Sequence, residues 1–456
     1  MNAQEVESEY RKVEAELLSR WPETRLEPST DRIAALMDLL GQPQRGYKSI
    51  HITGTNGKTS TARMVDGLLR ELDLRTGRTT SPELEELRER ICLDGEPLSR
   101  ERFVEVYRDI SPYAEMVDAA QPHPLSFFEL IVGMAYAAFA DAPVSAAVVE
   151  VGLGGTWDAT NVIDADVAVV TPISLDHTQL LGDTVEDIAW EKAGIIKPGS
   201  IAVLGQQPDE AAEVLLRHAV EVEATVAREG MEFGLMERHL AVGGQQLAIK
   251  GLSQVYDGIY LPLHGEHQAH NAACAIAAVE AFLGSGRGGA DLDPDLVRTA
   301  LAKATSPGRL EVIRRSPTVL IDAAHNPGGA AAAAAALSAE FSFDTLVGVF
   351  AVMADKDVRS ILEIFEPVLD AVVVTRNSSL RSMDPAELGE LAAEIYGEDR
   401  VTVSPRLDDA VDKAVALAES SVRDASLGGA GVVVTGSVVT AGDAARLLRR
   451  RNHPVS

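Results

Sequence analysis

The sequence predicts an α/β protein of two domains, each a mostly parallel sheet with helices packed against it. Two observations predict this. Short β-branched runs alternate with longer helical patterns, which is how βαβ units read in sequence. The chain has 456 residues, more than one ordinary core holds when domains run to roughly 100–200 residues. The first series has strands expected at 49–53, 146–151, 167–171 and 201–204, with helices at 59–72 and 127–140 between them. Before them, residues 1–20 carry Glu5, Glu7, Glu9, Glu14 and Glu16 among apolar positions and read as a charged helix. A Gly- and Asp-rich patch at 284–295 is followed by one helix and by Ser306-Pro307-Gly308. A second series then begins, with strands expected at 318–322, 345–350, 371–375 and 431–436 and a close-packing helix through the alanine run 330–337. The expected domains are 1–304 and 305–456.

Composition narrows the function classes. With 46% hydrophobic and 24% charged residues the chain is globular. A net charge of -28 argues against nucleic acid or an anionic membrane as partner, because both are bound through Lys and Arg. A phosphate-bearing ligand would have to be met by backbone N–H groups, a few cations or a divalent metal. The two cysteines, Cys92 and Cys274, lie in apolar segments and read as buried thiols of a reducing compartment. No uncharged apolar run approaches the roughly 20 residues of a membrane span, and residues 1–20 are no signal peptide. A cytoplasmic protein is expected.

Chemistry concentrates at the ends of strands. His51-Ile52-Thr53-Gly54-Thr55-Asn56-Gly57-Lys58-Thr59-Ser60 sets a glycine-rich turn between a strand and a helix. There backbone N–H groups and a helix N-terminus cradle phosphates, Lys58 reaches the terminal phosphates, and Thr59 approaches magnesium. The spacing departs from the usual P-loop, which would need Gly at the position of Ile52; an exposed lysine on a plain turn is the bland alternative. Glu150 closes the next strong strand and is followed by Gly152-Leu153-Gly154-Gly155-Thr156-Trp157-Asp158. Carboxyl ends of parallel strands are where open α/β sheets bind ligands. Asp176-His177 follows another strand, and His is a common metal ligand although a lone one is usually structural. Lys192 has Ala189 and Ile188 at i-3 and i-4, with no carboxylate to pair, so spacing leaves open whether it snorkels or works. Gly265-Glu266-His267-Gln268-Ala269-His270-Asn271, Pro307-Gly308-Arg309 and Asp322-Ala323-Ala324-His325-Asn326 stand at further element boundaries, where each alone reads as a cap or turn.

Taken in order, with Thr80-Ser81-Pro82, Glu89-Arg90-Ile91, Ser126-Phe127-Phe128-Glu129, Asp355-Lys356-Asp357 and Gly436-Ser437, these segments resemble the folylpolyglutamate synthase and dihydrofolate synthase family of Mur-type ligases over almost the whole chain. The resemblance implies a P-loop-type parallel-sheet ATPase domain and a smaller Rossmann-like C-terminal glutamate-ligase domain. It implies ATP at Gly54, Asn56, Gly57, Lys58 and Thr59, with Asn271 and Arg309 reaching across to it and Asp322 holding it from the second domain. It implies Thr59, Ser81, Glu150 and His177 around Mg2+, of which two sites are expected, and Lys192 as the lysine that the family carries as a carbamate. Glu27, Pro28, Ser29, Phe127, Phe128, Trp157 and Asp158 would line the pterin and aminobenzoate pocket; His325 and Ser437 would be glutamate-side or hinge residues. Two departures fall near the acceptor site. Glu83 stands where the family often has His, and Thr156-Trp157 where it usually has Arg-Leu.

The expected reaction is ATP-dependent addition of L-glutamate to dihydropteroate or a reduced folate through an acyl phosphate, by a monomer. The nearest rival is a Mur-type ligase acting on a nucleotide-linked cell-wall precursor, against which the Phe-Phe-Glu and Leu-Asp-His segments speak. A rival of another class is a nucleotide-dependent switch with no ligase step.

Overall fold

The computed structural model describes residues 2–22, 28–285, 288–420 and 429–452. The chain divides into two compact units. The first comprises Met1–His239, Gln245–Pro262 and Gln268–Thr305; the second comprises Leu240–Gly244, Leu263–His267 and Ser306–Ser456.

The first unit holds β1 (Lys48–Thr53), β2 (Thr76–Thr79), β3 (Ile91–Leu93), β4 (Glu96–Pro97), β5 (Ala146–Glu150), β6 (Val167–Val170), β7 (Ile201–Leu204) and β8 (Thr225–Arg228). They form one sheet in the order β4-β3-β2-β5-β1-β6-β7-β8. From β2 to β8 the pairings are parallel, and β3 and β4 add an antiparallel edge. β1 lies between β5 and β6, with Ile52 opposite both Glu150 and Val169. β5 and β6 are buried at every residue, as a parallel sheet covered on both faces requires. One core cluster joins Ala147 and Val149 of β5 to the helices Ala3–Leu18, Asp31–Leu39, Arg100–Ala120 and Phe127–Asp141. Another joins Ala168 and Val170 of β6 to the helices Val185–Ala193 and Asp209–Glu221. β9 (Gly234–Ala241), β10 (Gly244–Lys250) and β11 (Val255–Leu261) form a separate three-stranded sheet.

In the second unit β12 (Glu311–Arg315), β13 (Thr318–Ile321), β14 (Phe343–Phe350), β15 (Ala371–Val374), β16 (Val401–Val403) and β17 (Gly429–Thr435) pair in the order β12-β13-β17-β14-β15-β16, parallel except at β12. Side-chain alternation divides its two faces cleanly. Leu320, Val372, Val374 and Val433 pack under the helices Pro327–Glu340, Val358–Phe365 and Pro385–Tyr396. Val319, Ile321, Val373, Val432 and Val434 pack under Leu407–Ser420 and Val438–Asn452.

The α/β class and every expected strand are present, but the structure holds more strands than the pattern revealed. β2 reads Thr-Gly-Arg-Thr, which has no apolar run, yet all four residues are buried. Its arginine is tolerated because Arg78 Nη1 donates to Asp66 Oδ2 at 2.9 Å, with Asp66 fully buried on the preceding helix Lys58–Glu71. Its glycine is required because a Cβ at Gly77 would lie 2.4 Å from the Phe139 ring. Phe139 is fully buried, so Phe139→Ala should lower unfolding free energy by about 3–5 kcal/mol in a denaturant titration. A change below about 1 kcal/mol would mean that the Phe139 ring is not buried in the folded protein.

Candidate functional site at the carboxyl edge of the first sheet

Because β5 and β6 flank β1 in parallel, the turn 54–57, Glu150 and Asp176–His177 all emerge on one edge of the sheet. Gly54 has φ +142, and a Cβ there would lie 1.9 Å from Thr171 Oγ1. Gly57 has φ +92, and a Cβ would lie 2.4 Å from Asn271 Oδ1. Only glycine fits at either place. Gly57 caps the helix Lys58–Glu71, so the first-turn N–H groups of that helix face the turn. Thr55 Oγ1 donates to Ser174 O at 3.0 Å, and Thr55 N to Pro172 O at 3.0 Å, tying the turn to the segment after β6. Lys58 Nζ donates to Gly54 O and Thr55 O at 2.9 and 3.0 Å.

Glu150 is 2% exposed. Thr59 Oγ1 donates to its Oε1 at 2.7 Å and Ser81 N to its Oε2 at 3.3 Å. Among the described residues no group of three or more His, Cys, Asp or Glu side chains is arranged to hold a metal. A carboxylate and the Thr59 hydroxyl meet here, hard oxygen donors of the kind magnesium takes, and Ser81 joins them through its amide. His177 has φ +52, uncommon for a side chain other than glycine, and precedes the short helix Thr178–Leu181.

Lys192, near the end of the helix Val185–Ala193, does not snorkel: it is 4% exposed. Burial, and then the charge of Lys58, push its amine down from 10.5 to about 7, while Asp176, Asp158 and Glu191 hold it up. Those three acids come from separate loops or from the adjacent position, which is why helical spacing showed no partner. His51, buried on β1 with Nε2 2.9 Å from Thr160 Oγ1, is pushed down to about 3 by burial and the charge of Lys197, so it stays neutral.

The expected acceptor-side residues are placed as follows. Phe127 is buried with the Arg90 guanidinium 4.9 Å from its ring centroid. Phe128 lies against Gly152, where a Cβ would meet its ring at 2.4 Å. Trp157 is half-buried, Ser29 half-buried and Pro28 exposed. Asp158 is buried and accepts from Leu153 N and Thr160 N, both at 2.9 Å; burial raises its pKa. Glu27 lies outside the described residues.

Asn271 belongs to the first unit, where its Nδ2 donates to Gln268 Oε1 at 3.1 Å beside Gly57. Within the second unit, Asp322 ends β13. It accepts from Leu310 N at 2.9 Å and Ala324 N at 2.8 Å, so it shapes the loop carrying Arg309; burial raises its pKa and Arg309 and His325 oppose that. His325 Nδ1 lies 2.9 Å from Ala323 O. Ser437 is buried, accepts from Thr440 N at 3.0 Å and from Asn377 Nδ2 at 3.1 Å, and so caps the last helix. One residue that the sequence reading passed over is Glu191. It sits beside Lys192, but what it binds is a turn 34 to 36 residues away, which no local pattern reveals.

Residues 116–279 match the family model of the Mur ligase middle domain, and residues 308–438 that of the Mur ligase glutamate ligase domain. The chain is 54% identical to the dihydrofolate synthase/folylpolyglutamate synthase of Mycobacterium tuberculosis, across 96% of this chain and 93% of that one. It is 33% identical to the dihydrofolate synthase/folylpolyglutamate synthase of Bacillus subtilis, across 76% and 80% of the two. The structure of the M. tuberculosis folylpolyglutamate synthase complexed with ADP is similar with a TM-score of 0.93 and 53% identity, covering 97% of this chain and 99% of that chain.

The state of Lys192 has a thermodynamic signature. An unfolded chain holds the lysine proton up to about pH 10, whereas the fold releases it near 7, so stability rises with pH between those limits and the penalty is complete below them. In buffer depleted of carbon dioxide, wild type should therefore gain stability relative to Lys192→Met on going from about pH 7 to about pH 10, read by denaturant titration. A difference that stays constant would mean a solvated amine.

Proposed function

The chain belongs to the dihydrofolate synthase/folylpolyglutamate synthase family of Mur-type ligases, and we infer from this that it is an ADP-forming ligase joining L-glutamate to dihydropteroate and to reduced folates. The observation in the molecule that best supports the reading is the meeting of Thr59 and Ser81 on the buried Glu150, beside a turn that only glycine can form. That arrangement suits a triphosphate.

A carboxylate and an amine do not condense in water, because oxide would have to leave. In the ligase, an oxygen of the acceptor carboxylate attacks the γ-phosphorus of ATP and ADP departs, giving an acyl phosphate. The amine of glutamate then attacks the acyl carbon and phosphate is expelled. Turn 54–57 and the helix N-terminus after it would seat the phosphates, and Lys58 would offset their charge. Thr59, Ser81, Glu150 and His177 would hold magnesium, which lowers the repulsion between two anions brought together. The first unit is the proposed ATP-binding domain and the second the proposed glutamate-ligase domain, with Asn271, Arg309 and Asp322 on the nucleotide and His325 and Ser437 on the glutamate side. The pterin side falls to Pro28, Ser29, Phe127, Phe128, Trp157 and Asp158.

Lys192 is proposed to act as its carbamate. Capture of carbon dioxide requires a neutral amine, and an amine near 7 supplies one at physiological pH. Its nitrogen bonds to the carbon of carbon dioxide and a proton leaves. The product is an anion, so the repulsion from Lys58 becomes attraction. Two free, buried cysteines are consistent with a cytoplasmic site of action.

Phosphate release from ATP should require an acceptor and glutamate together, with dihydropteroate and tetrahydrofolate both turned over. Turnover with a nucleotide-linked cell-wall precursor and not with either pteridine would sink the folate reading. Lys192→Ala and Lys192→Arg should each lose activity by roughly 100-fold or more, with acetate partly restoring the Ala variant alone. A fully active Lys192→Arg enzyme would remove the carbamate from the scheme.

A further inference from the structure

The helix bearing Lys192 and the glycine-rich turn after Glu150 are joined along their backbones. Glu191 Oε1 accepts from Gly155 N and from Trp157 N, both at 3.3 Å. Its carbonyl oxygen accepts from Thr156 N and from Thr156 Oγ1, both at 3.0 Å. Asn161 Nδ2 closes the seam by donating to Thr156 O at 3.0 Å and Gly194 O at 3.2 Å. The approach leaves no space. A Cβ on Gly155 would lie 2.8 Å from Glu191 O and 3.1 Å from Lys192 Cα, and one on Gly194 would lie 2.1 Å from Thr156 Oγ1.

This seam has two consequences. It closes over the backbone at Lys192. It also sets the position of Trp157 and of Asp158, the proposed acceptor-side residues at the end of the same turn. The turn's other anchor is Thr53 Oγ1, which donates to Gly154 O at 2.7 Å from the end of β1. The turn is thereby held from the nucleotide strand at one point and from the Lys192 helix at several.

We propose that Glu191 is a positioning residue for the carboxylate acceptor: by accepting from the Gly155 and Trp157 amides it sets the acceptor wall in register with Lys192. The proposal rests on the ligase reading above, since it needs an acceptor at Trp157 and Asp158. The role is one of hydrogen-bond acceptance. A neutral amide oxygen can still accept from two N–H groups, whereas a methyl group cannot. Thr156, which stands where the family usually has Arg, adds a hydroxyl to the same seam.

The test is steady-state kinetics of phosphate release with dihydropteroate and ATP varied in turn, for wild type, Glu191→Ala, Glu191→Gln and Thr156→Val, with ADP affinity measured by calorimetry. Glu191→Ala should raise KM for dihydropteroate about tenfold or more while KM for ATP and the ADP affinity stay within about twofold. Glu191→Gln should remain within about threefold of wild type in both constants. Thr156→Val, which removes one bond of the seam, should give a smaller rise in the acceptor constant alone, and it serves if Glu191→Ala does not fold. A general structural defect would weaken ATP and ADP binding together with the acceptor and would overturn the proposal. So would an unchanged acceptor KM, or Gln as damaging as Ala. Failure of the ligase reading is separate, because wild type itself would then not turn over dihydropteroate.

Discussion

Gly54 and Gly57 have no room for side chains, and the arrangement of the first unit's edge follows from that contact. The turn between β1 and the helix Lys58–Glu71 lies against Thr171 on one side and Asn271 on the other. Its backbone is therefore held at a fixed position, with Thr55 N and Asn56 N donating to Pro172 O. The N–H groups at the N-terminus of the helix that follows are an anion site by geometry. In a chain of net charge -28 such a site must be local, because the overall field repels phosphate. Topology supplies the rest: with β1 between β5 and β6, Glu150 and Asp176–His177 flank the turn without any further device.

Charge burial is the second theme. The fold places Arg78, Asp66, Glu150, Lys192 and Asp158 at 4% exposure or less. Arg78 and Asp66 neutralise one another under β2, and Asp158 is satisfied by amides. Lys192 differs. Its nearest influences include a second cation, Lys58, so desolvation and repulsion act in the same direction and the amine approaches neutrality. Met or Leu would fill the space without that penalty, which is why a functional role is proposed for this lysine.

The second unit repeats the same principle more simply. Asp322 at the carboxyl end of β13 uses both oxygens to accept backbone amides, so the loop that carries Arg309 takes a defined shape. Ser437 and Asn377 bind one another and Thr440 across the ends of β15 and β17. Residues suggested by motif as ligand contacts are thus also the residues that fold their own loops, and substitution there would change both properties at once.

Much of this was legible in the sequence. The periodic pattern yielded the α/β class and eight of the strands, because apolar β-branched runs belong to strands buried on both faces. The glycine-rich turn, Glu150 at a strand end and Asp322 at another were visible because chain reversal and strand ends leave local signals. The polar strand β2, the edge strands and the small sheet β9–β11 were not visible, since their burial or pairing depends on partners far along the chain. The same limit applied at the site. Local spacing placed Lys192 beside Ile188 and Ala189 and left its role open. Only the tertiary structure brought Lys58, Asp158 and Asp176 to it and laid the 154–157 turn across Glu191. Sequence determines what can hydrogen-bond or ionise; which groups are stripped of water and set against each other is decided by packing between segments that are distant in the chain.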